Sequence, residues 1–158
     1  MKLFATSVLM MSSLCLFSQA LPFDFETAPA TEDFVDFDGG TGTVIANPQM
    51  DADNGSAMVA QIVRNGGDIW SGSKIILDAN LDFSTEWLIS MKVFCNSPVG
   101  TIVKFKLEGN GATEVDATTT VSGAWETLTW SFIGQPANFN EVVFMFDFGN
   151  TGDGSATS

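Results

Sequence analysis

A period-two alternation that recurs in short runs constrains this chain more than any other feature. In residues 103–108, Val103, Phe105 and Leu107 point one way, and Lys104, Lys106 and Glu108 point the other. Just upstream, Trp87, Ile89, Met91 and Val93 alternate with Leu88, Ser90, Lys92 and Phe94. A strand returns to the same side after two residues and a helix after about 3.6, so the pattern specifies strands. Ser97-Pro98-Val99-Gly100 separates the two runs and reads as a turn. Residues 85–108 are therefore predicted to form a hairpin, apolar on one face and charged on the other. Lys92, Lys104 and Lys106 are three of the chain's six basic residues.

Similar runs occupy 21–26, 34–38, 43–46, 57–64, 74–77, 114–119, 125–133 and 141–148. Turns rich in Gly, Asn, Asp and Pro separate them. The last run is apolar at nearly every position, which predicts a central strand covered on both faces. About ten short strands with no long amphipathic helix predict an all-β fold, a β-sandwich or jelly roll.

Residues 1–20 differ in character. Lys2 is followed by an apolar core and then Ser18-Gln19-Ala20, a small-x-small cleavage site. This reads as a secretory signal peptide cleaved after Ala20, with residues 21–158 as one mature domain and a secreted or periplasmic destination. Leu14 stands where a lipobox before Cys15 would need a small residue. After cleavage, Cys95 is the one remaining cysteine, a small hydrophobe rather than half of an intramolecular disulfide.

Charge and composition narrow the functions. Net charge is −13, and five basic against 19 acidic residues leave the mature chain at −14. Such a surface repels nucleic acid and anionic membrane. The chain has no His and no Tyr, which removes His bases, His metal ligands and the Ser-His-Asp arrangement. Calcium, which takes oxygen ligands, stays compatible.

Two motifs fall short of the chemistry they suggest. Asp51-Ala52-Asp53-Asn54-Gly55-Ser56 has calcium-loop residues, but not the alternating 12-residue spacing, and reads as a polar turn. Glu114-Val115-Asp116 matches the start of the catalytic Glu-x-Asp-x-x-Glu run of family 16 glycoside hydrolases. The sixth position is Thr119, so no carboxylate pair is made.

The remaining candidates suit a polar, neutral ligand. Trp70 lies between Asp68 and Gly72, where a polar Gly-rich turn would expose a ring able to stack on the apolar faces of a sugar. Arg64, Lys92, Lys106, Glu108 and Asp147 would supply donors and acceptors for hydroxyls. Asp147 is a lone carboxylate in an apolar run, so it must be paired or functional. A salt bridge to Lys92 or Lys106 is the structural alternative.

Taken together, AQIVRNGGDIWSGSKIIL, LDFS, ISMKVF, VKFKLEG, EVDATTTVSGAWETLTWSF and VVFMFDFGNTGDGS, spanning 60–154, resemble a known group. They are similar to noncatalytic β-sandwich modules appended to secreted marine bacterial family 16 glycoside hydrolases of laminarinase type. The resemblance implies a galactose-binding-like jelly roll that binds β-glucan or a related polysaccharide. It implies no catalytic residues here, with catalysis left to a neighbouring domain of a larger enzyme. It also implies an aromatic closing strand ending in Asp-Asp, which this chain would stop short of. A structural calcium where that strand meets the first would take Glu26 as one ligand. Arg64 and Trp70 would stand near a rim, and Lys92, Lys106, Glu108 and Asp147 on a sheet face. The alternatives are a structural or adhesion module packing on a neighbouring domain, and a small hydrolase using Glu108 and Asp147.

Overall fold

The computed structural model describes residues 19–155. The predicted leader lies almost wholly outside the described residues. Nine strands follow a single 3-10 turn, Thr31–Asp33: β1 (Phe34–Phe37), β2 (Gly40–Ala46), β3 (Met58–Arg64), β4 (Gly72–Ile76), β5 (Leu88–Phe94), β6 (Ile102–Gly109), β7 (Gly111–Thr118), β8 (Trp125–Ser131) and β9 (Phe139–Phe146). One layer is an antiparallel five-stranded sheet in the order β1-β4-β9-β6-β7. The rest pair as two ribbons, β2-β3 and β5-β8.

The alternation in the sequence decides which face each strand buries. In β8, Leu128 and Trp130 are buried while Thr127, Thr129 and Ser131 are exposed. In β6, Val103, Phe105 and Leu107 enter the core. They meet Val93, Leu128 and Trp130 of the β5-β8 ribbon and Val142 and Phe144 of β9. Phe105 sits 5.4 Å from both the Trp130 and Phe144 rings. Trp130 is fully buried and donates from Nε1 to the Val103 carbonyl at 3.1 Å. That bond satisfies the polar atom of a core indole and ties the two layers together. β9 runs between β4 and β6, and Val142–Met145 are all buried, as a central strand requires.

The predicted hairpin does not form. β5 pairs with β8, whereas β6 pairs with β7 and β9. The Pro98–Thr101 turn, closed by a 3.2 Å bond from the Thr101 N–H to the Pro98 carbonyl, carries the chain from one layer to the other. The physical reason is that both strands have an apolar face to bury. Placed on opposite layers, Val93 and Val103 share one core. Placed side by side, they would need a third element to cover them.

The stretch 21–26 is not a strand either. Asp24 Oδ1 accepts from the Glu26 and Thr27 N–H groups and curls the segment, while Phe25 stacks against Phe34 with centroids 6.4 Å apart. The layers come close where β2 crosses β4. A Cβ on Gly40 would run into the carbonyl of Gly72, and a Cβ on Gly72 into the carbonyl of Phe144, so both positions need glycine for space.

One edge of β3 faces away from β2. Gly154 donates to the Arg64 carbonyl there at 2.7 Å. At the other end, Glu26 Oε1 accepts from the Ala57 and Met58 N–H groups at 2.6 and 3.2 Å. Both ends of this edge are therefore capped by other parts of the chain.

Candidate functional site

The outer face of the five-stranded sheet carries a connected array of charged side chains. Strand parity puts Lys104, Lys106 and Glu108 of β6 outward, with Glu114 and Asp116 of β7 on one side. On the other side, Val143 of β9 stands beside both Lys106 and Lys74 of β4, and Glu141 stands opposite Glu108. Glu108 joins the two lysines: Oε1 lies 2.5 Å from Lys106 Nζ and Oε2 lies 3.5 Å from Lys74 Nζ. Lys74 also reaches Glu141 Oε2 at 2.6 Å. Toward the far end of the face, Lys104 bridges Glu114 at 2.9 Å and Asp116 at 2.8 Å. Its ammonium also lies 4.3 Å from the centroid of the Phe148 ring.

These contacts favour the charged forms of Glu108, Lys74 and Lys104. The hydrogen bond from Lys106 holds the Glu108 carboxyl below the usual carboxylate range, against a burial effect of opposite sign. The hydrogen bond to Glu141 raises the Lys74 pKa. Burial works against the charge on Lys104, but Asp116 and Glu114 together raise its pKa. A catalytic acid needs the reverse, a carboxyl raised toward neutrality. Partly exposed pairs of this kind each contribute at most about 1 kcal/mol to stability. Their larger effect is geometric: alternating donors and acceptors are fixed on a partly exposed face.

Trp70 stands in the turn between β3 and β4, with 46% of its surface exposed. Its Nε1 donates to Asp38 Oδ2 at 2.8 Å, which fixes the indole while leaving ring surface open. The neighbouring Ile69 carbonyl accepts from Gly149 at 3.0 Å, so this turn abuts the one after β9.

Arg64 holds these two turns together and is not available to a ligand. It is fully buried. Its Nε donates to Ser71 Oγ at 2.8 Å, Nη1 to the Asp147 carbonyl at 2.6 Å, and Nη2 to the carbonyls of Asp68 (3.2 Å) and Asn150. Removal from water makes its charge costly, and five N–H donors in a planar fork suit a cage of carbonyls. The expected ligand contact is thus a structural clamp that positions the turn bearing Trp70.

Asp147 also differs from the expected strand position. It lies just past the end of β9, with φ of 49°, and not inside the strand. Its Oδ2 is 3.9 Å from Arg64 Nη1, and its Oδ1 accepts from Asn150 Nδ2 at 2.7 Å. It is paired, as a carboxylate in that setting must be, but its partner is neither Lys92 nor Lys106. Glu108 stands opposite Glu141, six residues before Asp147. At about 3.4 Å per residue the two carboxylates are roughly 20 Å apart, too far for the glycosidase pair considered above.

Lys92 lies on the opposite layer. It is on β5, opposite Thr127 of β8, and its Nζ donates to the Asp53 carbonyl. So the structure brings Lys106 and Glu108 together, sets Trp70 at one end of the sandwich with Arg64 and Asp147, and separates Lys92 from both groups. Lys74 and Glu141, which complete the charged cluster, were missed. Their only sequence signal was a lysine alternating with buried residues and a glutamate opening an apolar run, and neither reveals that β4 and β9 are neighbours.

The residues present do not by themselves fit a calcium ion at Glu26. Its Oε1 already accepts two amides, and no group of three or more acidic, His or Cys residues could hold a metal among the described residues. In the polar turn, Asp51 Oδ1 accepts from Asp53 and Asn54 N–H groups, both at 2.9 Å.

No family model matches this chain, and no curated protein does. Among solved structures it is similar to a family 11 carbohydrate-binding module from Clostridium thermocellum in complex with a β-1,3-1,4-mixed-linked tetrasaccharide. The TM-score is 0.57 at 16% sequence identity, covering 82% of this chain and 86% of that one. The two share a β-sandwich fold.

Proposed function

We propose that this chain is a secreted, noncatalytic carbohydrate-binding module for β-glucan or a related polysaccharide. The observation that carries the reading is the partly exposed ladder of Lys74, Glu108, Lys106 and Glu141 on the outer face of the five-stranded sheet. Sugar hydroxyls need donors and acceptors side by side, and this face supplies both in fixed geometry. The similar solved structure holds a mixed-linked tetrasaccharide, which supports β-glucan as the ligand class. Trp70, held by Asp38, offers a stacking surface at one end of the sandwich.

Secretion rests on the leader read from residues 1–20. Attachment to a family 16 glycoside hydrolase rests on the sequence resemblance, as does a closing strand. Calcium belongs to this proposal only together with such a strand, because Glu26 alone contributes a single carboxylate.

Affinity electrophoresis against a panel of soluble polysaccharides tests the reading. Retardation by laminarin or mixed-linkage β-glucan is expected. Unchanged mobility across every glycan would overturn it in favour of a module that packs on a neighbouring domain.

A further inference from the structure

We propose a second glycan subsite on the opposite layer, in the cleft between the β5-β8 ribbon and the loop joining β2 to β3. The inference takes its ligand class from the carbohydrate-binding reading, but its location from separate observations. The cleft is open, about 330 Å³, and lined by Ala52, Asp53, Lys92, Trp125, Glu126 and Thr127. Lys92 and Thr127 stand opposite each other on neighbouring strands, and the next outward pair is Phe94 and Trp125. The Phe94 and Trp125 rings meet with centroids 5.5 Å apart at 59°.

The cleft is built rather than incidental. The loop is pinned at two points to the ribbon: Trp125 Nε1 donates to the Gln49 carbonyl at 2.7 Å, and Lys92 Nζ donates to the Asp53 carbonyl. Within the loop, Asn47 Nδ2 donates to the Ser56 carbonyl at 2.8 Å, and Asn54 is buried. Glu126 lines the cleft between Trp125 and Thr127, but it pairs with the buried Val93, so its carboxylate turns to the other face of β8 and accepts there from Thr120 N–H at 3.0 Å and from Thr120 Oγ1 at 2.7 Å.

The lining selects the occupant. A half-buried indole edge, a hydroxyl and an ammonium around one open cleft match a sugar ring, whose C–H faces are apolar and whose rim is hydroxyls. A protein segment would need a broader apolar floor than one aromatic pair. The overall negative charge disfavours an anionic ligand. Glycan sites on two layers would let one domain engage two stretches of a polymer, raising avidity without tighter contacts at either.

The test is an amide and indole NMR titration of the full chain with a β-1,3-1,4-linked glucotetraose. Saturable shifts are expected at the Trp125 indole and the Asp53 and Thr127 amides, in addition to those around Lys106 and Glu108. Lys92→Ala should weaken the first set by about tenfold, the share of one charge-assisted contact, and leave the second unchanged. Shifts confined to the Lys106 and Glu108 face would overturn the second subsite and leave the proposed function standing. Shifts confined to the Trp125 cleft would support the subsite and remove the five-stranded face from the proposed function. No shift at either set would overturn both. If Lys92→Ala weakens both sets equally, the effect is not local and the subsite is overturned.

Discussion

Arg64 shows how far a single residue can sit from its apparent role. A basic residue beside a polar turn looks like a ligand donor, and its position at the end of a strand was readable. Its partners were not, because the Asp147 and Asn150 carbonyls lie 83 and 86 residues further along the chain. Removing the guanidinium strands several carbonyls and leaves Asp147 without its cation, so Arg64→Ala should cost about 3–5 kcal/mol in chemical denaturation. Trp70 is the opposite case. The Gly-rich, polar turn signalled an exposed ring, and the structure exposes it. Trp70→Ala should leave the melting temperature nearly unchanged and weaken binding to mixed-linkage glucan about tenfold, the scale of one aromatic contact. Glycan affinity unchanged in that variant would remove Trp70 from the site.

At the scale of elements, alternation located most strands and gave the buried faces of β6 and β8. β9 was readable as central because both its faces are apolar. What the pattern could not give was pairing. A strand with one apolar face records that it packs on something, not which layer it joins, and so β5 and β6 read as a hairpin although they face each other across the core. The same limit hid Lys74 and Glu141 from the charged cluster. That cluster makes a pH prediction. Glu108 has its folded-state pKa lowered, so it contributes stability above the ordinary carboxylate range of about 4.3, and the contribution is lost as pH falls through the lower folded value. Lys74 is raised, so its contribution is complete below about 10.4 and is lost only as pH rises beyond that. Thermal melting should therefore hold level between about pH 5 and 9 with respect to this cluster. Glu108→Gln should make the decline below about pH 4.5 shallower than in the wild type. An unchanged acid limb would mean that the Lys106–Glu108 contact is not formed in solution.

For the whole molecule, composition and strand count were enough to indicate a β-sandwich. The grouping of side chains onto faces was not readable, because it depends on strand order. The structure divides the expected ligand set among three places: Lys106 and Glu108 on the outer face of the five-stranded sheet, Arg64, Asp147 and Trp70 at one end of the sandwich, and Lys92 on the other layer. The central claim is that the first of these faces binds β-glucan. Isothermal titration calorimetry with a β-1,3-1,4-linked tetrasaccharide, comparing the wild type with the Lys106→Ala/Glu108→Ala double variant, tests it most directly. Saturable binding by the wild type is expected, with a loss of at least about tenfold in the folded double variant, since two charge-assisted hydrogen-bonding groups are removed. Equal affinity in the two proteins, or no heat from the wild type, would contradict it.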